Sequence, residues 1–139
     1  MRGANTMAKK KNGTQTVEVI PGRRVILSAG VGKTNIEELK WLTETVLNEA
    51  KAWKYTGWAY IADCSQMDPV SPAESGELVI MTKKFVEAGC KAFAFAEGHS
   101  IMLKVQAQKN TERSQTGVKE AHFATVEEAL DWLKQEVRL

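Results

Sequence analysis

Two rhythms of apolar and polar positions divide this chain into strands and helices. Thr16 to Ile20 alternates and is rich in β-branched residues, the pattern of a strand with one buried face. Pro21-Gly22 marks a turn, and Arg24 to Ala29 carries the short apolar run Val25-Ile26-Leu27 of a buried strand. Their closeness predicts a hairpin. A helical rhythm follows, with Leu39, Leu42, Val46, Ala50 and Trp53 on one stripe. Asn35 stands where a cap belongs, with Glu38 three residues on, and Gly57 ends the element. Trp58 to Ala62 predicts a central strand ending at Asp63, followed by a loop over Cys64 to Val70. Ser71-Pro72-Ala73-Glu74 is a helix start: serine caps, proline suits the first turn and glutamate reaches back. Leu78, Met81, Phe85 and Ala88 form its stripe, and Gly89 is a left-handed stop.

The same alternation continues to the end. Lys91 to Ala96 predicts a strand, and Ser100 caps a third helix reaching about residue 110, with Met102 and Val105 facing inward. Val118 to Phe123 predicts a further strand. Thr125 and Glu128 form a third capping box, ahead of the stripe Val126, Ala129, Leu130, Leu133 and Val137. The order β-β-α-β-α-β-α-β-α predicts a single α/β domain over residues 14–139. Its expected core is a mixed, mostly parallel five-stranded sheet with helices packed against it. Residues 1–13 are polar and predict a flexible tail.

Composition narrows the class of function. The chain has 139 residues, 43% hydrophobic and 26% charged, enough for one core. Nineteen basic residues against 17 acidic ones leave a net charge of +2, and the basic run Lys9-Lys10-Lys11 lies in the tail. That balance argues against nucleic acid as a partner. No apolar run is long enough to span a membrane, and no apolar segment follows the basic N-terminus as a secretory signal would require. Two cysteines, Cys64 and Cys90, form neither a disulfide framework nor a zinc pair, which suits a cytoplasmic setting. His99 and His122 belong to no ligand motif, so neither a metal nor another cofactor is expected. Trp41 falls off the stripe of its helix and reads as a partly exposed aromatic or a partner contact.

Two groups of residues could carry chemistry. Gly30-Val31-Gly32-Lys33-Thr34 lies between a strand and a helix, where a phosphate-binding loop belongs. The leading glycine of that motif would stand at Leu27, so the plain alternative is a turn with a surface lysine. Asp63, Cys64 and Ser65 should meet Glu97 and His99 at the C-terminal edge of the sheet, the usual ligand crevice of open α/β folds. A carboxylate, a thiol and an imidazole there could serve acid–base or nucleophilic work. In the plain alternative Cys64 is a buried filler, Asp63 caps a loop and His99 is solvated.

The segments Trp58-Ala59-Tyr60-Ile61-Ala62-Asp63, Glu74-Ser75-Gly76-Glu77-Leu78 and Phe123-Ala124-Thr125-Val126-Glu127-Glu128-Ala129-Leu130-Asp131-Trp132-Leu133 together set the chain in a wider context. Their pattern, over roughly residues 15–138, resembles the STAS superfamily of anti-sigma-factor-antagonist-like, or SpoIIAA-like, domains, in its uncharacterised bacterial branch. The resemblance implies a strand pair followed by alternating helices and strands. It also implies a non-enzymatic regulatory or protein-interaction module with a protein partner. In the signalling branch a serine at the second helix start is phosphorylated; loop length matches it to Ser71, and local residues match it to Ser75, preceded by Glu74 rather than aspartate. Homodimerisation through an edge strand or helix face is compatible with this class. A small-molecule or nucleotide-binding role through the Gly30–Thr34 turn is the alternative.

Overall fold

The computed structural model describes residues 9–139. Six strands form one sheet in sequence order: β1 (Lys10–Asn12), β2 (Gln15–Val19), β3 (Val25–Gly32), β4 (Trp58–Met67), β5 (Cys90–Ala96) and β6 (Lys119–Phe123). The tight turns make β1 and β2, and β2 and β3, antiparallel. The helices α1 (Ile36–Ala50), α2 (Pro72–Glu87) and α3 (Ile101–Ser114) make the later crossovers, so β3 to β6 run parallel. The last helix, α4 (Val126–Trp132), ends in a π-helical turn, Leu133–Val137.

Side chains alternate across the sheet and give it two unlike faces. Ile26, Trp58, Tyr60, Phe93 and Phe95 project under α1 and α2, against Leu39, Leu42, Val46, Met81 and Phe85, and Ala107 of α3 packs against this cluster. Phe85 meets Tyr60 edge-on at 5.0 Å between ring centroids. The opposite face carries smaller residues, Val25, Ala59, Ile61, Ala92 and Ala94, which pack with Ala129 of α4 and with Leu133. Three helices therefore cover an aromatic face, and α4 covers an aliphatic one.

The caps form as the sequence predicts, with one difference. Ser71 and Thr125 make complete capping boxes with Glu74 and Glu128. Asn35 accepts from the Glu38 N–H, but the Glu38 carboxylate accepts instead from Thr14 and Thr34, tying α1 to the start of β2.

Three expectations need correction. The sheet has six strands rather than five, because Lys10–Asn12 pairs with Gln15–Val17 across the Gly13 turn. These residues were expected in the polar tail; residues 1–8 of that tail lie outside the described residues. The strands β3 and β4 run on to Gly32 and Met67, since their ends still pair with each other. The segment from Cys64 is thus strand, not loop. On α3, Met102 and Val105 point outward, at 59% and 40% exposure, while Leu103, Asn110, Thr111 and Ser114 are buried. The inward face of this helix is largely polar, which hydrophobic periodicity could not reveal. Trp41, read as a partly exposed aromatic, is half-buried against the aromatic cluster.

Candidate functional site

The parallel strands bring the candidate residues to one edge, where the structure divides them between two recesses. The first is a cavity of about 80 Å³ between the aromatic face and α1, α2 and α3. Asp63 and Cys64 of β4 line it, together with Gln15, Tyr60, Met81, Phe93 and Asn110. The second is a shallow depression lined by Glu97, Gly98, His99, Ser100, Lys104 and His122. Asp63 and Cys64 are not part of it, and His99 is not part of the cavity.

The crevice residues are therefore near one another without forming a nucleophilic centre. Asp63 accepts from the N–H and hydroxyl of Ser65, at 3.1 and 2.7 Å. Burial, and next the charges of Glu97 and Asp63, push the Cys64 thiol up to about 12. Such a thiol is protonated at neutral pH and is a poor nucleophile. His99 is exposed. Cys90 is buried and its thiol is likewise pushed up to about 12, chiefly by burial.

The imidazole that does enter a charged cluster is His122, which motif reading set aside. Its Nδ1 lies 2.9 Å from a Glu97 oxygen and its Nε2 lies 2.8 Å from Glu120. Its ring stacks on Phe95 at 5.0 Å between centroids, 11° from parallel. Burial lowers the His122 pKa, but hydrogen bonds to Glu120 and Glu97, with their charges, outweigh that and bring it to about 9. The ring is therefore an imidazolium at neutral pH, donating from both nitrogens. The signal available beforehand was the register of two predicted parallel strands, which sets His122 beside Phe95.

Most of Gly30-Val31-Gly32-Lys33-Thr34 is strand rather than loop. Gly30 and Val31 belong to β3, and the Val31 N–H donates to the Thr14 carbonyl. At Gly30 a Cβ would come within 2.7 Å of Gln15 and 2.6 Å of Met67, so the glycine admits those two side chains. Gly32 has φ +75°, the left-handed conformation through which the chain leaves the strand. Lys33 is exposed, and Thr34 is buried between Gln15 and Glu38.

The two serines differ in the same way. The Ser71 hydroxyl accepts the Glu74 N–H and is occupied as a cap. Ser75, in the first turn of α2, lines an outer groove of about 610 Å³ shared with Ile101, Met102, Val105, Lys109 and Arg113. Among the described residues no cluster of three metal-ligating side chains occurs, and no helix is long and apolar enough to cross a membrane.

No protein-family model matches the chain, and no curated protein matches it significantly. Solved structures do. An uncharacterised protein of the DUF3478 family with a SpoIIAA-like fold, from Shewanella loihica PV-4, superposes with a TM-score of 0.66. It is 18% identical over 91% of this chain and 99% of that one. The fold is SpoIIAA-like. The NMR structure of the protein TM1081 is similar too, with a TM-score of 0.59 at 18% identity, over 86% of this chain and 88% of that one. At these identities the likeness concerns the fold, as the resemblance in the three sequence segments implied.

Proposed function

We propose that this SpoIIAA-like domain is a non-enzymatic interaction module whose α2–α3 face docks an acidic, amphipathic segment of a protein partner. The observation that carries the reading is the outer side of α3. Ile101, Met102 and Val105 are exposed at 79%, 59% and 40%, beside a groove whose other residues include Lys109 and Arg113. Apolar side chains at helical spacing with flanking cations suit a partner of complementary pattern. The non-enzymatic part rests on the occupied carboxylates of Asp63 and Glu97 and on the protonated Cys64 thiol. Ser75 is the regulatory position of this reading, because it lines the groove while Ser71 is committed to its cap. A phosphate on Ser75 would add negative charge where an acidic partner docks.

The test is a photo-crosslinking residue at Met102 in cells. A discrete adduct is expected, and Ile101→Asp or Val105→Asp should reduce it at least tenfold, about 1.4 kcal/mol of binding. A second copy of the chain on this face would instead appear as a dimer in sedimentation, abolished by the same substitutions. Adducts that persist unchanged in both variants would overturn the reading.

A further inference from the structure

Asn110 is the buried polar group that the fold leaves unused. It is 7% exposed. Its neighbours are paired: Gln106 exchanges two hydrogen bonds with the backbone of Val70, and Thr111 and Ser114 donate to carbonyls one turn back. The Asn110 carboxamide makes no hydrogen bond among the described residues, a costly state for a buried amide. Asn110 lines both the interior cavity and the outer α2–α3 groove, so it stands in the wall between them.

The rest of the cavity defines what Asn110 could hold. Leu39, Leu42, Met81 and Phe93 make most of the wall apolar. Tyr60 is bonded to Ser28, and Thr82 donates to the Leu78 carbonyl. No lysine or arginine lines it, and its one charged residue, Asp63, is engaged by Ser65. An anion would lack a counter-charge there and would face Asp63, and any ion would lose its water. A volume of about 80 Å³ accommodates a handful of non-hydrogen atoms.

We propose that this cavity binds a small uncharged molecule with an apolar body and one hydrogen-bonding group, such as an amide, ketone or alcohol. The Asn110 carboxamide pairs with the polar end, and the ligand passes between α2 and α3. The proposal is independent of the docking face, since it needs no partner protein.

Titration of the ¹⁵N-labelled full chain with 2-methylpropanamide tests it. Saturable shifts of the Asn110 side-chain amide are expected, with a dissociation constant on the order of millimolar for so few atoms. The isosteric carboxylate 2-methylpropanoate and the ammonium ion of 2-methylpropylamine should bind at least tenfold more weakly. Asn110→Leu should weaken the amide at least tenfold, and Ala107→Leu, which fills the cavity from α3, should abolish its binding. The proposal is overturned by an absence of saturable shifts in the native chain, which would leave the cavity to water alone. Equal binding of the charged analogues, or unchanged affinity in Ala107→Leu or in a folded Asn110→Leu, would overturn it as well.

Discussion

Glu97 is a carboxylate with 3% exposure, and the fold accommodates it because His122 faces it as a cation. Replacing His122 by leucine leaves that carboxylate without its charged partner. We expect a loss of about 3 kcal/mol in urea denaturation at acidic to neutral pH. The sign of the pH dependence follows from the direction of the shift. The folded chain holds the His122 proton more tightly than the ordinary value of 6.5 implies, with a pKa of about 9. The stabilisation is therefore full below 6.5 and is lost as pH rises through about 9. The stability gap between the native chain and His122→Leu should narrow over that window, and a gap independent of pH would show that the imidazolium is not its source. None of this was legible at the level of single residues. Glu97 and His122 are 25 positions apart, and only the pairing of β5 with β6 makes them neighbours.

At the level of elements, the strongest local signals were the caps. Ser71 accepts the Glu74 N–H and Glu74 accepts the Ser71 N–H, at 3.2 and 3.1 Å. Ser71→Ala should cost about 1 kcal/mol in thermal or urea unfolding, and Ser71→Gly only a few tenths. A larger loss in the glycine variant than in the alanine variant would count against the cap. These starts were readable because a cap is decided within four residues. The inward face of α3 was not readable. Its buried Asn110, Thr111 and Ser114 look like surface residues to any hydrophobicity pattern, while its exposed Ile101, Met102 and Val105 look like core. Both departures belong to the helix that borders the proposed cavity and groove. The ends of β3 and β4 were misjudged for a related reason: Gly32 and Met67 continue the sheet because they pair with each other.

For the whole molecule, one side chain links the beginning of the sheet to the end of the chain. Arg23, between β2 and β3, donates to the Leu139 carbonyl at 2.7 Å and to the Leu130 carbonyl at 2.9 Å. Arg23→Ala should lower stability by about 2 kcal/mol and selectively raise amide exchange across residues 126–137. Uniform exchange throughout the sheet would instead assign the loss to the β2–β3 turn. The alternation of elements, their helix starts and the two apolar rhythms follow from local chemistry. These depend on backbone hydrogen bonds and side-chain spacings within a few residues. Which charges meet at the strand ends, which polar residues α3 buries and where β3 and β4 stop depend on long-range packing. Those outcomes depend on strand register and helix placement, which join residues far apart in the chain.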